Sequence, residues 1–532
     1  MKQGPTIYQR RIVIGAVFCA AAFALVGVRL VDVTLFKPHT GGVETVDRPL
    51  TARNDIVDRN GELLARDLPV VDLYALPHTL SDKDGAARDL ARVTGADYAR
   101  LIDGFDNTRH PYVLVARRLT PDVQANVMHL GLPGLEFEPA AKRFYPDGRA
   151  TAQLLGVTDP DGKGVSGLEQ GLNGALRETG AGKPVQLSVD MRVQYILGSE
   201  VEDARKTFGA EKAGGIVMNV RTGEIVAMVS LPDFDPNFRQ FTGDDSDHNI
   251  MAADRYELGS VFKVLSFALA LQDRTTRPDE VFSIGNGYRI GKFTIHEAEH
   301  MPATLTARDV LAHSSNIGTA QIALRSGPVR QAAFLTSLGL LKPLHSELPE
   351  FARPLYPDHW GIIETATIGF GHGIAVEPLA YVSAAASVVN GGRRIVPTFL
   401  KTDADRRGAR VIAPETSAEL RGLLRYVVTN GTGRKADIPG YDVGGKTGSA
   451  EKPGKHGYQS HVLVTSFFAA FPIEDPRYVV FVLLDEPHGT KETGGIALAG
   501  STAAPLAGRV ISRIAPLLGV PQKPVTVARE NT

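Results

Sequence analysis

Ser260-Val261-Phe262-Lys263, Ser314-Ser315-Asn316 and Lys446-Thr447-Gly448 occur in that order along the chain. Brought to one cleft, they supply a serine nucleophile, two lysines and a polar amide, the set that acyl transfer through a covalent ester requires. Singly, each string is weak. A Ser-x-x-Lys match arises about once in a few hundred residues by composition alone, and Ser449-Ala450-Glu451-Lys452 is a second one here. Context separates the two. Ser260 follows Gly259 and opens the apolar run Val261 to Leu271, which predicts a buried central helix. Ser449 stands just before Pro453-Gly454, where a helix is disfavoured.

On a helix, residues three apart share a face, so the Lys263 amine is expected to reach the Ser260 hydroxyl. Burial in an apolar helix strips a lysine of its charge, and a neutral amine beside a serine is a general base. Ser260 at the helix start also has a free backbone N–H and the positive end of the helix dipole. The structural alternative is a capping serine with a snorkelling lysine. Ser314 would supply a hydroxyl for proton relay and Asn316 an amide for a peptide carbonyl; alone, the tripeptide reads as a helix-end polar cluster. Lys446 offers a cation, and Thr447 and Ser449 offer hydroxyls, for a substrate carboxylate. Gly448, with Gly444-Gly445, marks close backbone approach, or merely a glycine-rich turn. On a regular strand Lys446 and Ser449 point to opposite faces, so a local twist is expected if both reach the site.

The elements that must position these groups are visible in outline. Gly215 to Val220 and Glu224 to Val229 read as a hairpin about Thr222-Gly223. Val462 to Phe468 and Tyr478 to Leu484 read as buried strands, separated by Pro472 and Asp475-Pro476, and Ala503 to Leu518 as a closing helix. Strands at both ends of this region with helices between predict an α+β fold: an antiparallel sheet with flanking helices and a helical subdomain. Upstream, Asp58-Arg59-Asn60-Gly61 is a turn and Val70 to Ala75 a strand. Nothing there clusters nucleophile, base and orienter, so this segment is expected to be an elongated pedestal, with Arg53, Asp58, Arg59 and Glu169 as structural ion pairs.

The 532 residues, 43% of them hydrophobic, suffice for two or three domains. A net charge of −1 and the lack of a basic stripe argue against nucleic acid as a partner. Cys19 is the only cysteine, which excludes an internal disulfide framework and a thiolate metal cluster. No metal or cofactor site is expected; His296, His300 and His372 match no compact ligand spacing, and His372 between glycines is placed at the cleft. Ile12 to Val28 is uncharged, follows Lys2, Arg10 and Arg11, and with Leu30 to Phe36 is long enough to span a bilayer. Positive charge ahead of it predicts a cytoplasmic N-terminus and everything after the span outside. A cleaved signal peptide ending near Ala22-Phe23-Ala24 is the rival reading. The expected organisation is a tail (1–11), a transmembrane anchor (12–36), a pedestal (37–184), a catalytic domain (185–520) and a loose tail (521–532).

The chain resembles the class B penicillin-binding proteins, membrane-anchored peptidoglycan D,D-transpeptidases, most closely their cell-division (septal) branch. The resemblance includes Tyr256-Glu257-Leu258-Gly259 before Ser260, Ser315-Asn316-Ile317-Gly318, Gly371-His372-Gly373, and Arg221 to Met228 followed by Pro232 and Asp235-Pro236-Asn237. Upstream it includes Arg53, Ile56, Asp58-Arg59, Gly61, Arg143-Phe144-Tyr145-Pro146, Leu154-Leu155-Gly156 and Gly167-Leu168-Glu169. The resemblance implies a penicillin-binding transpeptidase domain behind a dimerisation-like pedestal. It implies Ser260 as the acylated nucleophile and Lys263 as its proton acceptor. Ser314 and Asn316 would serve relay and positioning, Lys446 charge tuning, and Thr447 and Ser449 carboxylate binding. The oxyanion hole would come from the N–H groups of Ser260 and Ser449. Leu258, Ser449 and Asn54 stand where the family usually has Pro, Thr and Gly; Asn54 suits a left-handed backbone.

The implied reaction cross-links stem peptides ending in D-Ala-D-Ala, with β-lactams as inhibitors and no cofactor. The implied partners are a polytopic membrane glycosyltransferase and other division proteins, at the inner membrane with the catalytic domain periplasmic. The alternatives are an elongation-specific transpeptidase, a penicillin sensor or β-lactamase-like hydrolase, and a non-catalytic division scaffold.

Overall fold

The computed structural model describes residues 53–107, 111–177, 183–238, 248–454 and 457–524, with six positions between 16 and 24. The expected anchor, 12–36, otherwise lies outside the described residues, as does the tail from 525. Among the described residues no helix is long and apolar enough to cross a membrane. The chain divides into two compact units, whose described parts are 69–141 and 53–68 with 142–524.

In the smaller unit, helices Lys83–Thr94, Tyr98–Asp106 and Pro121–Met128 pack with the strand Val113–Leu119 over Leu90, Leu101, Phe105, Val115 and Val127. Asp82 caps the first helix by accepting from Gly85 N, and Gly95 at φ +74° ends it.

The larger unit is built on a five-stranded sheet. Its strands are β1 (Lys212–Asn219), β2 (Ile225–Leu231), β3 (Gly444–Gly454), β4 (Gly457–Phe471) and β5 (Tyr478–Asp485), in the spatial order β3-β4-β5-β1-β2 with every pair antiparallel. Helices α1 (Met191–Thr207), α2 (Lys263–Gln272), α3 (Asn316–Ser326), α4 (Pro378–Val389), α5 (Pro414–Asn430) and α6 (Ala503–Ile514) surround or extend it. β5 shows why its sequence is apolar without alternation. Val479, Phe481 and Leu483 pack in one core with α2 and α4, while Val480, Val482 and Leu484 pack in another with α1 and α6. Both faces are covered, so every position is buried. The hairpin between β1 and β2 forms as expected, with Gly223 at φ +77° and the place of its missing Cβ 2.3 Å from Val396 O. The closing helix is shorter than expected, ending at Ile514.

Of the residues expected in structural ion pairs, Arg53, Arg59 and Glu169 form them, while Asp58 is bonded by N–H groups. Arg143 Nε donates to Glu169 Oε1 at 2.6 Å, Arg53 Nη2 stands 2.8 Å from Glu169 Oε2, and Arg53 Nη1 donates to Asn173 Oδ1. All three charged side chains are almost wholly buried. Arg59 pairs with Glu224 at 3.7 Å, and Asp58 accepts from the N–H groups of Asn60, Glu62 and Met191. Asn54 departs from expectation: it is not among the residues with positive φ, and its N–H donates to Leu176 O. Removing one member of such a cluster leaves buried charge without a counterion. Glu169→Ala is therefore expected to destabilise the fold by about 3–5 kcal/mol, read as a lowered thermal unfolding midpoint. An unchanged midpoint would show that the cluster carries no net stability.

Candidate active site

Ser260 lies in the 3₁₀ turn Gly259–Phe262, which runs directly into α2. In that geometry residues three apart eclipse, so Ser260 and Lys263 leave the backbone on the same side. The turn is held tightly. Gly259 has φ +57°, and a Cβ there would meet Ser449 O at 2.9 Å. A Cβ on Gly448 would stand 2.6 Å from Leu258 O. The two glycines let β3 lie directly against the nucleophile turn.

Lys263 is wholly buried, and its resting hydrogen bonds run to the second motif. Nζ donates to Ser314 O at 2.5 Å, to Asn316 Oδ1 at 2.8 Å and to Ser314 Oγ at 3.2 Å, all in the second motif. Burial pulls its pKa down to about 7, against the opposing pull of the Glu297 carboxylate. A neutral amine has two N–H bonds and one lone pair. Deprotonation must therefore release one of these three acceptors and leave a lone pair in its place. The second motif adopts the backbone this requires: Ser314 has φ +63°, rare for serine, and presents both its carbonyl and its hydroxyl to Lys263.

Lys446 is buried as completely, with Nζ donating to Ser314 Oγ at 3.0 Å, to Thr447 O at 3.0 Å and to Thr447 Oγ1 at 3.1 Å. Burial, and then the charge of Lys263, hold its pKa well below the ordinary lysine value. Ser314 Oγ thus accepts from both amines, which occupies its two lone pairs and leaves its own O–H to point elsewhere. The expected strand distortion is not found. The β3–β4 register is unbroken from Gly444 through Glu451, and Thr447 and Ser449 share one face. β3 is the edge strand, and the long Lys446 stem carries its amine back beside Thr447.

A cavity of about 360 Å³ is lined by Ser260, Ser314, Asn316, His372, Thr447 and Ser449 among other residues. Lys263 and Lys446 are not in its wall, but both donate to Ser314 Oγ, and Ser314 is. Thr447 Oγ1 bonds Thr432 Oγ1 at 2.7 Å, and Ser449 Oγ accepts from Ala499 N at 3.0 Å, leaving its proton for a ligand. His372 lines the cleft as the sequence suggested, packed on Phe370 and Tyr458. Burial and the Lys263 charge lower its pKa to about 4, so it is neutral at pH 7.

Glu297 was missed from sequence. Its carboxylate accepts from Ser315 Oγ at 2.5 Å, Asn316 N at 2.8 Å and Ile317 N at 3.0 Å, closing the N-terminus of α3 that carries Asn316. It belongs to no motif and lies 18 residues before its first partner, so only the folded chain reveals it. Glu297→Gln removes a carboxylate charge that favours protonated Lys263. The acid limb of the acylation-rate profile is then expected to move to lower pH, with the plateau rate falling about tenfold as the α3 cap weakens. An unmoved limb would remove Glu297 from the electrostatics of the site.

The buried lysine pair, the bridging Ser314 hydroxyl and Ser260 at a helix start form an arrangement that suits serine acyl transfer. Residues 213–510 match the family model "Penicillin binding protein transpeptidase domain", and residues 50–194 match "Penicillin-binding Protein dimerisation domain". The chain belongs to the penicillin-binding proteins, in their class B. It is 41% identical over 494 residues to a probable peptidoglycan D,D-transpeptidase FtsI of Caulobacter vibrioides, covering 90% of this chain and 84% of that protein. The corresponding figures for a probable peptidoglycan D,D-transpeptidase PenA of Neisseria meningitidis are 30% identity, 92% and 88%. Its fold matches penicillin-binding protein 3 of Mycobacterium tuberculosis, solved with aztreonam, at a TM-score of 0.70 and 24% identity over 89% of this chain and 98% of the other.

Proposed function

We propose that this chain is a serine-type peptidoglycan D,D-transpeptidase that cross-links stem peptides during septal wall synthesis. The observation that carries the chemistry is one hydroxyl, Ser314 Oγ, held between two buried amines beside the Ser260 turn. Lys263, poised near neutrality by burial, takes the proton of Ser260 as Oγ attacks the penultimate D-alanine carbonyl. The N–H groups of Ser260 and Ser449 receive the developing oxyanion. Asn316 orients the peptide, and the terminal carboxylate lies on the Thr447 and Ser449 hydroxyls. Its arrival favours the charged form of Lys446 behind them. The Ser314 O–H then delivers a proton to the departing amine, drawing on the lysines. An acceptor amine reverses the path and forms the cross-link.

The septal assignment rests on the Caulobacter FtsI relative and on an FtsI of Escherichia coli, 27% identical over 91% of this chain. β-Lactams are taken as inhibitors by the same chemistry. Residues 12–36 are proposed as a single anchor that leaves the catalytic domain outside the inner membrane. A polytopic membrane glycosyltransferase and other division proteins are the proposed partners, and 37–184 and 185–520 the pedestal and catalytic domains. Purified full-length chain given a stem pentapeptide ending in D-Ala-D-Ala is expected to release D-alanine and yield a cross-linked dimer. Release with hydrolysis alone, and rapid turnover of penicillin, would make it a hydrolase instead.

A further inference from the structure

Two strings of the sequence take no direct part in this chemistry. One is Ser449-Ala450-Glu451-Lys452, the second Ser-x-x-Lys match, and the other is Tyr256-Glu257-Leu258-Gly259, which leads into Ser260. Their outer members, Lys452 and Tyr256, meet at one buried carboxylate. Asp485, the last residue of β5, is 3% exposed. Lys452 Nζ stands 3.0 Å from its Oδ1, and the Tyr256 hydroxyl lies 3.4 Å from its Oδ2 and 3.5 Å from Asp254 Oδ2. Lys452 also donates to Glu486 Oε1 at 2.6 Å. Burial pushes the Asp485 carboxyl up, and the Lys452 amine opposes that push.

The placement of these residues gives the contact its meaning. Ala450, Val464 and Asp485 stand opposite one another across β3, β4 and β5. Lys452, two residues on from Ala450, therefore reaches Asp485 past Val464 on one face of the sheet. The β3–β4 register runs unbroken to Glu451 and shifts before Pro453, so Lys452 stands where the ladder ceases to hold β3. Its side chain holds the strand to β5 instead. Tyr256 is tied through its backbone to Val376 in both directions, at 2.9 and 3.0 Å. Three residues further on, the place of the missing Cβ of Gly259 is 2.9 Å from Ser449 O. The segment that ends in Ser260 and the strand that carries Ser449 are thus in backbone contact, and Asp485 is bound to both.

We propose that Asp485, with Lys452 and Tyr256, is a positioning group that fixes the spacing between the Ser260 and Ser449 N–H groups. This rests on the transpeptidase reading above, in which those two groups receive the oxyanion, and adds what keeps them in register. Donors of this kind act by being placed in advance where charge develops, so a displacement slows bond formation and leaves binding alone.

The test uses full-length chain in detergent, with penicillin acylation resolved into initial binding and the first-order acylation step. Asp485→Asn keeps the shape and an acceptor for Tyr256 while removing the charge that holds Lys452. Its acylation step is expected to slow about ten- to a hundredfold, with initial binding within about twofold of wild type. Lys452→Met is expected to slow the step to a similar degree, Lys452→Arg to restore most of it, and the double variant Asp485→Asn, Lys452→Met to lose no more than the slower single one. A spectroscopic readout separates positioning from general loosening. The acyl carbonyl stretch of the penicillin adduct, isolated by ¹³C difference infrared spectroscopy, is lowered by the two N–H donors and is expected to move to higher wavenumber in Asp485→Asn. Lys452 is a quarter exposed, so its two variants carry the same measurements if Asp485→Asn does not fold. An unmoved carbonyl stretch, an acylation step within twofold of wild type, or losses that multiply in the double variant would overturn the positioning role. Failure of penicillin to acylate the wild type at Ser260 would instead overturn the transpeptidase reading.

Discussion

Lys263→Ala is expected to slow acylation of Ser260 by penicillin about 10³- to 10⁴-fold, with the protein still folded. The size follows from what the amine does in the resting site. It is poised to accept a proton near pH 7, because burial favours its neutral form. The same amine holds the Ser314 carbonyl, the Ser314 hydroxyl and the Asn316 amide in place. Truncation therefore removes the base and loosens the second motif together. The wild-type rate carries a matching signature. Protonated Lys263 cannot act as base, so acylation is expected to climb with pH through about 7 and to level off above it. In Lys263→Ala that inflection should vanish from the residual rate. A retained inflection would assign it to another group.

Ser314→Ala is expected to cost about 10²- to 10³-fold in transpeptidation. Among the described residues its hydroxyl alone accepts from both buried amines, at 3.2 Å from Lys263 and 3.0 Å from Lys446. Without it two buried amines face each other across an empty position, and the proton route to the leaving amine is cut. Both halves of the reaction use that route, so acylation by penicillin and transfer to an acceptor amine should fall together. A variant that lost transfer alone would place Ser314 with the acceptor rather than in the relay. Measuring burst amplitude and steady-state rate on one preparation separates these outcomes.

Much of this site was legible before folding, and the reason is local. Ser260, Lys263, Ser314, Asn316, Lys446 and Thr447 sit in short strings whose residue types state their chemistry. Both buried strands and the hairpin at Gly223 were legible for the same reason, since apolar runs and a turn glycine act within a few residues. The failures concern contacts across the chain. Spacing put Lys263 and Ser260 on one face, but could not show the bonds of Lys263 to Ser314 and Asn316, more than 50 residues away. The pleat suggested a twist at Lys446, whereas an edge strand and a long side chain suffice. Glu297 could not be found at all, because a carboxylate capping a distant helix has no local signature. Asn54 was read as able to take the left-handed backbone of a glycine, but it has no positive φ, and its N–H and side-chain amide donate to Leu176 O and Ala175 O.

The central claim is that Ser260 becomes covalently bonded to the acyl group. Wild-type protein is to be treated with a slowly released penicillin, digested, and its adduct located by tandem mass spectrometry. The account predicts one drug mass added to the peptide that contains Ser260, and no adduct in Ser260→Ala. An adduct on Ser314, Ser449 or any other residue, or stoichiometric labelling of Ser260→Ala, would contradict it.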